Sequence, residues 1–185
     1  MTRDLPTRYS MRDTGEALVH VKKLSRTEDV FGLIQQLRSD VTDGTVTVRG
    51  AAARKLGELK AREAVEPLAR LLADEDEDVR LTAVDALGSI GSEKARQILR
   101  ALLQHESASL RRNAVVQLGR LRDEPARSSL MALLASPQPD MRRSAAVALA
   151  HFGDPAVQPA IEEAIREEAL FTRHWILRFA RKNLR

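Results

Sequence analysis

Apolar residues recur along this chain at helical spacing, in blocks that repeat. The segments VRGAAARKLGEL from Val48, VRLTAVDALGSI from Val79, LRRNAVVQLGRL from Leu110 and MRRSAAVALAHF from Met141 align without gaps, each starting 31 residues after the last. Another step of 31 reaches Thr172 and TRHWILRFARKN. Counted from the arginine that stands second in each block, offsets −1, 3, 7 and 10 are apolar, as in Val48, Ala52, Leu56 and Leu59 of the first block. Those offsets fall on one stripe of an α-helix. The eighth offset holds Gly57, Gly88, Gly119 and Ala150, small residues that let helices approach closely.

A second amphipathic segment precedes each block: residues 64–74, 95–105, 126–136 and 157–167, with Leu68, Leu99, Leu130 and Ile161 in register. The pattern predicts a row of helical hairpins joined by short links, and Gly91 and Gly153 suit the left-handed residue that ends a helix. Upstream, residues 29–40 match the first helix of another hairpin, followed by the longer connection VTDGTVTVR. Residues 15–24 fit a degenerate second helix, and residues 1–13 carry no pattern and are expected to form a flexible arm. The expected organisation is one repeat domain over 14–185: a degenerate repeat at 15–47, regular repeats at 48–170 and a capping helix at 171–185.

A hairpin with one apolar face cannot bury it alone, so neighbours stack and share a continuous core. The predicted fold is all-α, a solenoid of about five hairpins with a 31-residue period. Asp74 followed by Val79 and Arg80, then Ala83, Ala86, Leu87 and Gly88, gives D-x-x-x-x-V-R and A-x-x-A-L-G. This pattern resembles HEAT repeats, in particular the short regular repeats of phycobilin-lyase-type HEAT proteins. At the Asp74 position the other repeats have His105, Ser136 and Glu167, so the aspartate is not regular. The resemblance covers residues 28–184 and implies a right-handed α–α superhelix with the second helices lining its concave side. It also implies that the arginine column, Arg49, Arg80, Arg111, Arg142 and Arg173, forms a structural ladder along the inter-helix turns.

Composition narrows the function. Aromatic residues are only 3% of 185, which suits closely packed helices. Cysteine is absent, which removes thiolate catalysis and Cys-ligated zinc. The N-terminus has no apolar secretory core, and no stretch reaches the ~18 apolar residues of a membrane span, so a cytoplasmic location is expected. His20, His105, His151 and His174 are dispersed, and His105–Glu106 is a lone His-Glu pair, so no metal or other cofactor is expected. His105 reads as a solvated helix end, and the run Asp74–Asp78 as a solvated turn. No phosphate-binding loop or nucleophile elbow is present, which argues against an enzyme.

Charge is uneven. Residues 1–92 hold 14 basic and 16 acidic residues, a balance of −2; residues 93–185 hold 16 and 10, a balance of +6. On the second helices, Val116 and Val147 lie opposite the core stripe, where a solvated helix is polar. Arg112, Arg120, Arg143 and His151 flank them. Apolar anchors with a cationic rim suit an acidic or amphipathic protein segment. Trp175 and Arg178 extend the candidate face into the last helix, where Phe171 and Phe179 also break the repeat. That helix is expected to cap a monomer. Nucleic acid is a less favoured partner, because stacking aromatics are scarce and the acidic turn opposes a phosphate track. A subunit of a phycobilin-lyase-like enzyme is the remaining alternative.

Overall fold

The structure, a computed structural model, describes residues 29–38, 42–43, 46–164 and 170–183; the side chains of residues 42–43, 46, 170–175 and 181 lie outside the description. The expected arm and the helix at 15–24 fall outside it, as do the side chains of Phe171, Arg173 and Trp175. The chain divides into two compact units, Met1–Ile90 and Gly91–Arg185.

In the first unit, α1 (Val30–Gln36) is followed by β1 (Thr42–Asp43), β2 (Val46–Thr47), α2 (Val48–Glu58), α3 (Val65–Arg70) and α4 (Glu77–Ile90). Asp29 caps α1 by accepting from the Gly32 amide at 2.9 Å, and Thr47 caps α2 through Gly50 at 3.0 Å. The long connection before α2 is not plain loop. Thr42 pairs with Thr47 and Asp43 with Val46 in a two-residue antiparallel ladder, in keeping with its β-branched composition.

The second unit contains α5 (Glu93–Ala101), α6 (Ala108–Arg120), α7 (Arg127–Leu133), α8 (Pro139–Ala150), α9 (Gln158–Ala164) and α10 (Leu170–Asn183). Ser92 and Ser107 cap α5 and α6. First helices are shorter than their apolar pattern. The segment predicted at 64–74 is α3 between two 3₁₀ turns, Arg62–Ala64 and Leu71–Ala73. Bonds from Asp74 to Leu71 and from His105 to Leu102, each 3.1 Å, tighten the last turn where the chain must swing into the second helix.

The fold is thus an all-α array of helical hairpins. Offsets −1, 3 and 7 are buried in α2, α4, α6 and α8, as expected. Offset 10 departs from expectation: Ile90 is buried, but Leu59, Leu121 and Phe152 are half-exposed. Offset 4 is the missing column, since Ala53, Val84, Val115 and Ala146 are all buried. A second helix packs against its own first helix and against the neighbouring second helix, so its apolar face is wider than one stripe. Within the units the second helices nearly touch. A Cβ added at Gly57 would lie 2.7 Å from Ala86 Cα, and one at Gly119 would lie 2.4 Å from Ala148 Cα.

Every second helix that ends in a described turn is followed by a left-handed residue. Lys60, Gly91, Arg122 and Gly153 occupy one repeat position, and all have positive φ, of 52°, 60°, 47° and 72°. Ala61 donates to Leu56 O and Lys60 to Gly57 O at 3.1 and 3.0 Å; Asp123 and Arg122 do the same to Leu118 and Gly119 at 3.1 and 2.9 Å. These are Schellman closures, which glycine fits without strain and lysine or arginine does not.

Candidate functional site

Two sets of polar contacts organise the turns. Arg80 Nη1 donates to Asp74 O at 2.6 Å and Glu75 O at 2.9 Å. Arg111 makes the matching bonds to His105 O and Glu106 O at 2.6 and 2.7 Å, and Arg142 to Ser136 O and Pro137 O at 2.9 and 3.2 Å. Each guanidinium ties the turn of its own hairpin to the second helix. Arg49 differs. It is buried and crosses to the next hairpin, where Nε and Nη2 meet the Asp74 carboxylate at 2.8 and 3.0 Å. Position 74 alone among 74, 105 and 136 carries a carboxylate, so Arg80 and Arg111 have no counterpart fork 25 residues on.

Asp74 is therefore not part of a freely solvated run. Its Oδ1 also accepts from the Asp76 amide at 3.0 Å. His105 is half-buried rather than a solvated helix end, and its Nδ1 accepts from the Ser107 amide at 3.0 Å. Ser136 Oγ accepts from Gln138 at 3.3 Å. Asp, His and Ser look irregular as letters, yet each supplies the acceptor that caps the amide two residues on.

A third set of contacts has no forecast in the periodicity. Arg100 Nη1 meets both oxygens of buried Asp123 at 2.9 Å, and Arg96 stands 3.5 Å away. Arg127 pairs with Asp154 one repeat later. A first-helix arginine thus holds the aspartate at the start of the next first helix. The sequence signal was the shared spacing of 27 residues, Arg96 to Asp123 and Arg127 to Asp154.

Val116 on α6 and Val147 on α8 are half-exposed at equivalent positions of the second unit. Arg112 and Arg143 both approach Asp140, Arg112 at 3.7 Å, so an internal carboxylate already occupies that end of the strip. Arg120 and Arg178 are exposed and form no ion pair among the described residues. The His151 ring lies edge-on to Phe179 of α10, centroids 5.3 Å apart. Its pKa is depressed, first by burial and then by Arg120 and Arg122. In α10, Ile176 and Ala180 are buried. No cluster of three or more potential metal ligands occurs among the described residues, and no helix there is long and apolar enough to cross a membrane.

The first unit carries a different surface. A groove of about 230 Å³ between α2 and α4 is lined by Arg54, Asp76, Asp78, Thr82 and Asp85 among others. Its carboxylates are spread over a turn and a helix, so no single motif in the sequence marks it.

The family model for HEAT repeats matches residues 31–118 and 101–179. The chain belongs to the HEAT-repeat family. No curated protein matches it in sequence. Among solved structures, the complex of CpcE and CpcF of phycocyanin lyase from Nostoc sp. PCC7120 matches with a TM-score of 0.61 at 18% identity, over 95% of this chain and 77% of that one. A designed armadillo repeat protein in complex with peptide (KR)4 matches at 0.60 and 19%, over 94% and 91%. YIBA of E. coli matches at 0.62 and 18%, over 97% of this chain and 64% of that one. These likenesses show the fold alone, an array of helical-hairpin repeats.

Proposed function

We propose that this protein is a non-catalytic adaptor that binds an acidic or amphipathic protein segment on the second helices of its C-terminal repeats. The observation that carries the reading is the pair Val116 and Val147, half-exposed and one repeat apart, beside exposed Arg120 and half-buried His151. The valines would anchor the apolar side of a segment. Arg112, Arg120, Arg143, Arg178 and His151 would orient its acidic side, and Trp175 is included in the proposed face. Repeat scaffolds commonly present such extended surfaces to partners. Asp140 sharpens the expectation: an incoming carboxylate competes with it for Arg112 and Arg143, whereas Arg120 is open.

The test is binding of an acidic amphipathic helical peptide, followed by fluorescence anisotropy. Arg120→Glu with Arg143→Glu should weaken binding about tenfold or more and flatten its salt dependence. Val116→Asp should abolish it. Equal affinity in all three proteins overturns the reading. The acidic groove between α2 and α4 counts against a continuous nucleic-acid track. A second reading, a subunit of a phycobilin-lyase-like enzyme, is supported by the likeness to the CpcE–CpcF complex. A bilin absorbance change on mixing would favour it.

A further inference from the structure

The second helices α6 and α8 come closest at Gly119 and Ala148, where a Cβ on Gly119 would lie 2.4 Å from Ala148 Cα and 2.9 Å from Ala148 O. Arg120 directly follows that contact as the last residue of α6. His151 stands three residues, almost one turn, beyond Ala148 and is the C-cap of α8. Arg122 is held outside the helix by its left-handed backbone, φ 47°. Phe179 backs the imidazole from α10, with the two rings at 76°.

We propose that Arg120, Arg122 and His151 form a subsite for a dianionic oxyanion of the phosphomonoester class. The subsite lies on the face assigned above to a partner segment, and it rests on that reading for the origin of the phosphate but not for the binding of the ion itself.

Charge accounting favours a dianion. Nearby carboxylates are engaged elsewhere: Asp123 with Arg96 and Arg100, and Asp154 and Glu124 with Arg127. From α7, which packs on α8, the charged group is Arg127, already so engaged. From α9 come Glu162, which accepts from Gln158, and Glu163, which also has a partner. From α10, exposed Arg178 and Lys182 flank Phe179 and add positive charge. Burial is the first cause that opposes protonation of His151, and Arg120 and then Arg122 add to it. Two guanidiniums leave a surplus that one carboxylate does not neutralise. A dianion offsets both and makes protonation of His151 favourable, which adds a third charge-assisted donor.

The probe is sulfate, which stays a dianion across the range in which histidine titrates. The His151 imidazole resonances are followed by NMR in sodium sulfate and in sodium chloride at equal ionic strength. Sulfate should shift them saturably, move the His151 titration upward, and bind about tenfold more tightly near pH 5 than near pH 8. Arg122→Gly should remove most of the response. Glycine suits a φ of 47°, so this variant keeps the fold while losing the charge. Arg120→Gln should do the same. A shift no larger in sulfate than in chloride, or one that persists undiminished in Arg122→Gly, overturns the subsite.

Two further arms separate the sources. An acidic peptide bearing phosphoserine that binds at least about tenfold more tightly than free phosphate and its unphosphorylated form supports a phosphorylated partner. Free phosphate binding as tightly as the phosphopeptide supports a soluble ligand. Peptides that fail to bind while the sulfate response stays intact refute the partner-segment reading and uphold the subsite.

Discussion

Arg49 reaches across to clasp Asp74 in the turn of the next hairpin, with Nε and Nη2 on the two carboxylate oxygens at 2.8 and 3.0 Å. The two side chains are only 10% and 8% exposed, so neither charge is well solvated. Removing one partner strands the other. Asp74→Ala should destabilise the protein by about 3 kcal/mol in chemical denaturation. Asp74→Ser should recover about 1 kcal/mol of that, because a hydroxyl can still cap the Asp76 amide as Ser136 caps Gln138. Equal stability of wild type and Asp74→Ala would mean that the fork contributes nothing.

The next arginine positions act within their own hairpins. Arg111→Ala removes bonds to His105 O and Glu106 O and should cost about 1–2 kcal/mol with the helical spectrum retained. Arg111→Lys keeps the charge but not the rigid planar guanidinium that holds Nη1 against both carbonyls, and should fall between the two. An unchanged melting temperature together with lost partner binding would reassign this column from the scaffold to the site.

Much of this scaffold was legible in the sequence, because a repeat writes its core positions several times over. Leu56, Leu87, Leu118 and Leu149 named the buried stripe. Gly91 and Gly153 marked helix ends, and both have positive φ. Ala53, Val84, Val115 and Ala146 lie beside that stripe, and a single stripe does not mark them because each second helix packs on two neighbours. The acceptor shared by Asp74, His105 and Ser136 was hidden by three different letters. Hydrogen-bond capacity recurs there, and residue identity does not. The face around Val116 and Val147 could be drawn from periodicity, but periodicity cannot reveal that Asp140 already engages Arg143 and Arg112.

Lys60 and Arg122 occupy the left-handed position that Gly91 and Gly153 fill elsewhere. Lys60→Gly and Arg122→Gly should therefore each stabilise the protein by about 0.5–1 kcal/mol, although glycine loosens the unfolded chain. Gly91→Ala should destabilise it. The check is the order of the denaturant midpoints; a loss of stability in both glycine variants would show that the long side chains outweigh the backbone strain.

At Gly119 the obstacle to a side chain is backbone. An added Cβ would meet Ala148 Cα at 2.4 Å and Ala148 O at 2.9 Å, so trimming the Ala148 side chain does not clear the space. Gly119→Ala should cost about 1–3 kcal/mol in spite of alanine's better helix propensity. Adding Ala148→Gly should not restore it. A full rescue by the double variant would show that α6 and α8 separate easily and that their close approach is not required.

The final expectation concerns pH. Burial, then Arg120 and Arg122, holds the His151 pKa below its ordinary value. In the unfolded chain the imidazole takes up a proton near pH 6.5, whereas the folded protein resists until the pH is lower. Between those values the unfolded state binds more protons, so stability rises with pH there. The stability is full above about pH 6.5 and declines as the pH falls toward the folded value. His151→Gln cannot titrate, and its melting temperature should fall less over the same interval. Carboxylates contribute to both proteins alike, so the difference between the two profiles isolates this group. A bound dianion reverses the effect by favouring the charged imidazole, and sulfate should flatten the wild-type profile while leaving that of His151→Gln nearly unchanged. Parallel profiles without sulfate would show that the His151 environment does not penalise its charge.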